Sequence, residues 1–517
     1  MGRAMDPVIR IRHQAVDAVE AYSPAEQQFN QRRKTTGLVL GPLAFLLVLS
    51  LPLTGLTPAA HRLAAILVCV VVFWITEALP LAITALLGPT LAIVLQVAPA
   101  QKALASFADP IIFLFIGSFV LAEAMYEHGL DRRMAYTALC SRFVGRSAGR
   151  LLVVLGAVST GISMWISNTA TAAMMFPIGV SIVTYLSSQP EGRVPRFRRF
   201  AITMMLINAF GASLGGLATP IGTPPNLIGI GMLRSLAGVD ISFFRWMMLG
   251  LPLTIVLFAA MAVFFWFISA RGLTLSKSSM DDVRAQLARL GPVSTGERNV
   301  MFAFFLTVGL WILPGVLTIM GLRDSAFARI YAASVPESAA ALLGAILLFA
   351  LPVEWKTRRF TMSWEAAVRI DWGTILLFGG GLAMGSLAFT TGLAEAMGRS
   401  VTWWVPTHSP VAFTIIFTGF AVILSEMTSN TASASMIVPV AIAVCQAAGV
   451  NPIEPALGAT LGSSVGFMLP ISTPPNAIAY SSGHVPITAM IKHGALLDVI
   501  SFVVIVVLVS LLAPILF

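Results

Sequence analysis

Charged residues are scarce in this sequence: Asp, Glu, Lys and Arg make up 11% of its 517 residues, whereas hydrophobic residues make up 57%. Soluble domains carry about 25% charged residues, which keep their surfaces in contact with water. A chain this long with so little charge lacks the polar residues to cover a soluble fold. The composition therefore predicts a polytopic membrane protein.

Cysteine and histidine are also rare, with three and six copies. Cys69, Cys140 and Cys445 are too far apart for a metal-ligand motif and indicate no disulfide framework. The histidines are dispersed and no glycine-rich phosphate loop is present, so no enzyme is expected. Basic residues are not interleaved with aromatic ones, so nucleic acid is not an expected partner. An intramembrane enzyme and an anion channel are the alternatives from other classes.

Long apolar runs are what the sequence has in abundance. They approach the length of about 20 residues that a membrane-spanning helix needs. Strand-like alternation is absent, so we predict helices and not a barrel. Several runs are shorter, which suits re-entrant or broken helices. The runs lie near residues 37–53, 63–76, 79–98, 110–126, 151–166, 246–270, 300–320, 334–352, 372–391, 411–425 and 494–517.

Basic residues indicate the orientation of the chain, because short loops rich in Lys and Arg stay in the cytoplasm. Residues 1–36 are polar and lack the apolar core of a signal peptide. We therefore predict that they form a cytoplasmic amphipathic segment held near anionic headgroups. Residues 271–298 are predicted to be a cytoplasmic linker between two transmembrane halves, 37–270 and 299–517.

One polar phrase occurs twice in apolar surroundings, as Ser167-Asn168-Thr169 and as Ser429-Asn430-Thr431. Each copy is followed by a second shared phrase, Thr223-Pro224-Pro225-Asn226 and Thr473-Pro474-Pro475-Asn476. Paired interruptions of apolar segments at corresponding places point to the binding site of a secondary transporter.

Each Ser-Asn-Thr phrase lies near the middle of a segment that enters and leaves the membrane on one face. Residues about 151–187 lie between two basic stretches, which predicts a re-entrant hairpin from the cytoplasmic side. Residues about 404–448 show the same pattern and are predicted to form a hairpin from the outer side. Hairpins from opposite faces with matching tips are typical of an inverted repeat.

The two phrases have complementary chemistry. Ser, Asn and Thr cap helix N-termini, whose free N–H groups and partial positive charge attract anions. Consecutive prolines interrupt a helix and free backbone carbonyls. Such carbonyls, with hydroxyl and amide oxygens, form a cage suited to Na⁺. Neither tip contains Lys, Arg or His, so a cation is needed to balance a bound dianion.

At these motifs the chain resembles the divalent anion/sodium symporter family, which includes bacterial dicarboxylate transporters and animal sodium–carboxylate and sodium–sulfate cotransporters. The resemblance rests on WITEALP at 74–80, FLFIGSFVLAEAMYEHGLDRR at 113–133 and both pairs of phrases. It covers nearly the whole chain after about residue 37. It implies a homodimer in a bacterial inner membrane, with a scaffold domain and a transport domain that moves like an elevator. Interfacial helices are implied at 131–150 and 354–371.

The resemblance also implies roles for individual residues. The expected substrate is a C4-dicarboxylate such as succinate, fumarate or malate, carried with Na⁺. The implied substrate contacts are Asn168, Thr169, Asn430, Thr431, Thr473 and Pro474. The implied first sodium site consists of Ser163, Ser167, Asn168, Gly222 and Asn226. The implied second sodium site consists of Ser425, Thr428, Asn430, Ser472 and Asn476.

Several alternatives remain open at this point. The substrate could be sulfate or citrate, and sodium-independent exchange is known in such a family, although the tips lack the cationic side chain that this would use. Proton coupling is the nearest rival, because Glu77, Glu123 and Glu426 lie within or beside apolar spans. For Glu426, the competing interpretation is a hydrogen-bonded carboxylate that braces the second hairpin.

Overall fold

The computed structural model describes residues 24–145, 147–187, 195–270, 281–404 and 408–517. Three parts of the predicted organisation therefore lie outside the described residues. They are most of the N-terminal segment (1–23), part of the linker (271–280) and residues 405–407 near the start of the second hairpin segment.

Within the described residues, nine helices are long and apolar enough to cross a membrane. The number is ten if the bent pair Ala326–Ser334 and Glu337–Ala350 forms one span. The prediction of a helical, polytopic, integral membrane protein is confirmed.

The first half consists of helices of very unequal length. They are α1 (Pro24–Ser50), α2 (Pro58–Thr76), α3 (Leu81–Val94), α4 (Ala100–Ala103), α5 (Pro110–Glu127), α6 (Leu130–Leu139), α7 (Ala148–Ser163), α8 (Asn168–Ser187), α9 (Pro195–Gly215), α10 (Pro224–Ala237) and α11 (Phe243–Phe265). A short 3₁₀ turn, Ala105–Ala108, follows α4, and a π-helical turn, Trp266–Ala270, extends α11.

The rest of the described chain, from the linker onward, contains the remaining helices and one short ribbon. The helices are α12 (Asp281–Arg289), α13 (Thr295–Ile319), α14 (Ala326–Ser334), α15 (Glu337–Ala350), α16 (Trp364–Ala367), α17 (Trp372–Thr391), α18 (Leu393–Trp404), α19 (Pro410–Met427), α20 (Asn430–Ala447), α21 (Ile453–Gly462), α22 (Pro474–Ser481) and α23 (Ile487–Leu516). The strands β1 (Pro352–Glu354) and β2 (Arg359–Phe360) pair antiparallel after α15.

The implied interfacial helix over 354–371 is wrong. That segment contains the β ribbon, whose turn has Arg358 in a left-handed conformation (φ 52°), and only the single turn α16. Charged and β-branched residues in a short connection favour a hairpin there, since no apolar stripe stabilises a helix. In the segment 131–150, the helix α6 begins at Leu130 and already ends at Leu139.

Small residues let the membrane helices approach closely. A Cβ on Gly117 in α5 would lie 2.5 Å from the backbone of Ala341 in α15, and one on Gly380 in α17 would lie 2.2 Å from Ala85 O in α3. Helix association in lipid depends on such close packing, since lipid tails leave little hydrophobic driving force between helices. These contacts hold α5 against α15 and α3 against α17.

Two pairs of helices form the hairpins. The first pair is α7 and α8, joined by residues 164–167, which we call the first tip. The second pair is α19 and α20, joined by residues 428–429, the second tip. In each hairpin the second helix begins at the Asn of the Ser-Asn-Thr phrase.

Two helices are broken, at the places where the proline pairs occur. Between α9 and α10 the chain is unwound over residues 216–223, the first break. Between α21 and α22 it is unwound over residues 463–473, the second break. The prolines occupy the first turn of the new helix, where their missing N–H leaves no hydrogen bond unmade. The unwound residues therefore precede the prolines.

Candidate functional site

Both tips end in a capped helix N-terminus. Ser167 Oγ accepts a hydrogen bond of 3.2 Å from Ala170 N at the start of α8. Ser429 Oγ accepts one of 3.4 Å from Ala432 N at the start of α20. Each serine thus satisfies one N–H of the first helical turn, and the partial positive charge of that helix end lies at the tip.

In each hairpin, the serine five residues before the asparagine forms a hydrogen bond that fixes the asparagine side chain. Ser163 Oγ donates to Asn168 Oδ1 over 2.8 Å, and Ser425 Oγ donates to Asn430 Oδ1 over 2.8 Å. Ser425 is also 2.8 Å from Ser463 O in the second break. The two halves therefore repeat the same side-chain contact at the same sequence spacing.

Each hairpin contacts the break of its own half. Thr219 Oγ1 in the first break donates to Met164 O over 2.5 Å, and Ser472 Oγ in the second break donates to Glu426 O over 3.2 Å. A Cβ on Gly216 would lie 2.6 Å from Asn168 Oδ1, so no larger residue fits there without displacement of the tip. The break is thus in direct contact with the first tip in the first half, and with the end of α19, just before the second tip, in the second half.

The asparagine after each proline pair is fully buried, with 0% exposure, and binds the preceding break. Asn226 Nδ2 donates to Gly216 O and Thr219 O, both over 2.8 Å. Asn476 Nδ2 donates to Gly466 O and Leu469 O, both over 3.0 Å. The Oδ1 atoms of both asparagines have no hydrogen-bond partner.

The second half carries two carboxyl groups that the first half lacks. Glu426 precedes Asn430 by four residues, where the first half has Met164. Its Oε1 accepts from Met468 N over 2.9 Å, its Oε2 accepts from Leu469 N over 3.2 Å, and the Ser472 hydroxyl also donates to it. These contacts fit the interpretation of Glu426 as a carboxylate that braces the hairpin.

Asp498 is the other additional carboxyl group. Its Oδ1 accepts from Phe467 N in the second break over 3.2 Å, and its carboxyl group faces that of Glu426. Thr254 is its counterpart in α11, since Gly250 and Gly494, four residues earlier, each press against a break. Thr254 donates to Leu214 O over 3.2 Å. The second break is therefore held by acidic groups and the first by neutral ones.

The hairpin of one half packs against the broken helix of the other. Ala172, one turn into α8, shares a small buried cluster with Ile478, one turn into α22. At the other crossing, α20 packs against α10, and Gln446 Nε2 donates to Leu236 O over 3.1 Å. The start of α8 and the start of α22 consequently lie side by side.

The residues proposed from the sequence differ in exposure. Ser167, Thr169 and Pro474 are exposed, and Asn168, Ser429, Asn430 and Thr431 are half-buried. Ser163, Gly222, Ser425, Thr428, Ser472 and Thr473 are buried. Most proposed substrate contacts thus lie on the open side of the tips and most proposed ion ligands lie deeper, with exposed Ser167 and buried Thr473 as the exceptions.

Sequence reasoning missed several residues that hold the hairpins and the breaks in place. Thr219, Gly216, Gly466 and Asp498 were not singled out as contacts, and Ser463 contributes only its carbonyl. Gly216 and Gly466 carried a usable signal, because each lies seven residues before the Thr of its Thr-Pro-Pro-Asn phrase. Thr219 and Asp498 correspond to residues of another type in the other half, Leu469 and Thr254, so comparison of the halves could not reveal them.

The groups gathered here suit a hard monovalent cation and a small anion. In each half a serine hydroxyl meets an asparagine amide oxygen beside an unwound break, and Ser463 O lies 2.8 Å from Ser425 Oγ in the second half. Such oxygen sets coordinate Na⁺ in transporters, while helix N-termini face the anion. Among the described residues no group of three or more His, Cys, Asp or Glu could hold a metal ion of another type.

Paired hairpins, paired breaks and a polar site between them define a membrane transporter of the secondary type. The family model for the sodium:sulfate symporter transmembrane region matches residues 32–517, and the chain belongs to this family. The resemblance inferred from the motifs is thereby confirmed.

Two relatives are similar over almost their whole length. The sodium-dependent dicarboxylate transporter SdcS of Staphylococcus saprophyticus is 34% identical over 483 residues, which cover 92% of this chain and 91% of the relative. SdcS of Staphylococcus aureus is 33% identical over 496 residues, covering 93% and 91%. Since the family and these relatives are transporters, the chain is a transporter and not an enzyme.

Two solved structures share the fold. The YdaH transporter of Alcanivorax borkumensis has a TM-score of 0.54 at 13% identity, covering 94% of this chain and 98% of that one. MtrF of Neisseria gonorrhoeae has a TM-score of 0.51 at 13% identity, covering 79% and 82%. Identities this low support the architecture alone.

Proposed function

We propose that the protein is a sodium-coupled symporter of divalent anions, with C4-dicarboxylates such as succinate, fumarate and malate as substrates. The observation that carries the proposal is the repeated contact between a hairpin with a Ser-Asn-Thr tip and an unwound break. It assembles neutral donors for carboxylates and oxygen ligands for cations at one place. The tips and breaks contain no Lys, Arg or His, so bound sodium would balance the dianion.

Substrate contacts are proposed for the open side of the tips. Asn168, Thr169, Asn430 and Thr431 would donate to carboxylate oxygens, and Thr473 and Pro474 at the start of α22 would complete the pocket. Support comes from the packing of α8 against α22, which brings a tip of one half beside the break of the other. Helix N-termini at these points favour the negative charge.

Two sodium sites are proposed, one for each tip and break. The first would use Ser163, Ser167 and Asn168 with the break around Gly222. The second would use Ser425, Thr428 and Asn430 with the break around Ser472. The equal Ser–Asn contacts of 2.8 Å in both halves support two sites of similar construction.

Alternating access by an elevator movement of the hairpins and broken helices is part of the proposal. An apolar cavity of about 280 Å³ separates the hairpin helices α19 and α20 from α2, α17 and α18. This unfilled apolar space beside the hairpin helices suits a sliding movement. The mobile part would be the transport domain, and the remainder a scaffold that forms a homodimer in the lipid of a bacterial inner membrane, with a cytoplasmic N-terminus.

Uptake measurements test the proposal. Purified protein in proteoliposomes should accumulate labelled succinate when sodium is imposed outside, and excess unlabelled fumarate or malate should compete. Equal uptake with potassium in place of sodium would refute the coupling. Stronger competition by sulfate or citrate than by malate would move the substrate class away from C4-dicarboxylates.

Labelling tests the elevator movement. Cys69, Cys140 and Cys445 are replaced, a single cysteine is placed at Thr169, and a membrane-impermeant maleimide is added from either side. We expect labelling from one side in sodium alone and from the other when the gradient is reversed with substrate. Labelling from one side under all conditions would contradict the movement.

A further inference from the structure

Asn226 and Asn476 occupy equivalent positions with equivalent contacts. Each follows its proline pair directly, is fully buried, and donates both hydrogens of its amide to two carbonyls of the preceding break. In both halves the accepting carbonyls lie ten and seven residues earlier in the chain. Such a repeat of spacing and contact points to a common task.

The task follows from where the carbonyls lie. A helix that stops leaves its last carbonyls without intrahelical partners, and a buried carbonyl without a partner destabilises the fold. In the first break Gly216 O is such a group, one residue after α9 ends at Gly215. The Asn226 amide satisfies Gly216 O, adds a second donor to Thr219 O, which also accepts from Gly222 N over 3.3 Å, and so closes the break into a fixed loop.

The clamped glycines are the ones that lie against the two hairpins beside their tips. A Cβ on Gly216 would lie 2.6 Å from Asn168 Oδ1, and one on Gly466 would lie 3.2 Å from Ser425 Oγ. By holding the carbonyl of each glycine, the amide fixes the distance between break and tip. That gap is where the proposed sodium ligands of the two elements face each other.

We propose that Asn226 and Asn476 are positioning residues that hold each break against its tip through the amide NH₂ group, and are not sodium ligands through Oδ1. The proposal rests on the proposed sodium coupling and assigns the loop shape at each ion site to one side chain. An asparagine is the one side chain of this length with two amide donors on a single nitrogen.

The substitution Asn→Asp distinguishes a clamp formed by the amide NH₂ group from a sodium ligand formed by Oδ1. Asp keeps an oxygen at the Oδ1 position but removes the NH₂ donors, and its charge repels the two carbonyls. A ligand oxygen that became a carboxylate would bind sodium more tightly, whereas a lost clamp would weaken binding. Because an ionised Asp buried here could prevent folding, Asn226→Ala and Asn476→Ala, which remove the donors without adding charge, are tested in parallel.

Asn208 supplies the matched control. It is a buried asparagine in α9 that donates to Ala172 O over 3.1 Å and accepts from Ser159 over 2.9 Å, with no contact to either break. Asn208→Asp therefore reports the general effect of a buried Asn→Asp change in α9, the helix that precedes the first break.

The readout is the rise in thermal midpoint of the purified full-length protein as sodium replaces potassium. We expect N226D, N476D and the alanine variants to need about tenfold more sodium for half of the rise, since two neutral hydrogen bonds are lost. N208D should need the same sodium as the wild type, whatever its midpoint in potassium. Unchanged or tighter sodium binding in N226D and N476D would overturn the proposal.

Hydrogen exchange keeps the proposal testable if sodium coupling itself fails. A wild-type protein without any sodium response would refute the proposed function, but the clamp still predicts faster amide exchange over residues 216–223 in N226A and over 466–473 in N476A. Each variant should leave the other break unchanged. Equal exchange in variants and wild type would overturn the clamp independently of sodium.

Discussion

The two proposed binding regions, one in each half, share a backbone frame and differ in the charge of the residues around it. Both have a Ser–Asn contact of 2.8 Å, a glycine against the hairpin, and an asparagine amide across the break. Around this frame the first half places Met164 and Thr254, and the second places Glu426 and Asp498. The frame is therefore what the site requires twice, whereas the means of holding the break in place can change.

The largest difference between the halves is expected from glycine substitution. Gly216→Ala would push a Cβ to 2.6 Å from Asn168 Oδ1, while Gly466→Ala would approach Ser425 Oγ only to 3.2 Å. We expect Gly216→Ala to raise the sodium concentration for half-maximal succinate uptake about tenfold, since overpacking costs about 1–3 kcal/mol. Gly466→Ala should have a clearly smaller effect. Equal effects would show that the two tips are packed alike.

Substitution of Glu426 tests whether its carboxylate braces the second hairpin or takes part in proton-coupled transport. Glu426→Gln places an amide NH₂ where Met468 N or Leu469 N needs an acceptor, which should lower the free energy of unfolding by about 1–3 kcal/mol. The thermal midpoint in detergent measures this loss, and sodium-driven uptake should persist. Glu77→Gln, at an ion pair of 2.9 Å with Arg33, is the control and should change the midpoint little. Loss of all pH dependence of uptake in Glu426→Gln would favour proton coupling instead.

Loss of the serine contact should change the sodium dependence of uptake by a similar amount in the two halves. Ser163→Ala and Ser425→Ala each remove the donor to the tip asparagine, and a neutral hydrogen bond contributes about 0.5–1.5 kcal/mol. We expect the half-maximal sodium concentration to rise about fivefold in each variant. Ser425→Ala should be the more affected, because Ser425 also contacts Ser463 O. An unchanged sodium dependence in either variant would remove that serine from its site.

The smallest effects are expected at the open face of the tips. Thr169→Val and Thr431→Val keep the side-chain shape and remove one hydroxyl, so the apparent KM for succinate should rise by up to about fivefold. The measurement is initial uptake at saturating sodium, with the thermal midpoint as a check on folding. Since Thr169 is exposed and Thr431 half-buried, neither change should affect stability much. A KM equal to that of the wild type would exclude the residue from the pocket.

Much of the architecture was predictable, for local reasons. Low charge and long apolar runs require helices in lipid, where backbone groups must be satisfied within the segment. Ser167 and Ser429 cap helices as their residue type suggests, and both proline pairs begin a helix as their missing N–H allows. The interfacial helix over 354–371 was wrong because its alternative, a ribbon, depends on a turn at Arg358 that composition does not reveal.

By itself, the sequence determined that this is a helical membrane transporter with two interrupted segments in each half, because lipid, proline and capping residues act over a few neighbours. Only the tertiary structure decided that each hairpin rests on its own break, that α8 meets α22, and that Asn226 and Asn476 bind carbonyls behind them. The Glu426–Asp498 contact also required the fold, since its members are 72 residues apart in the chain. Such contacts depend on how helices pack, and helical packing brings together residues whose separation in the sequence carries no signal.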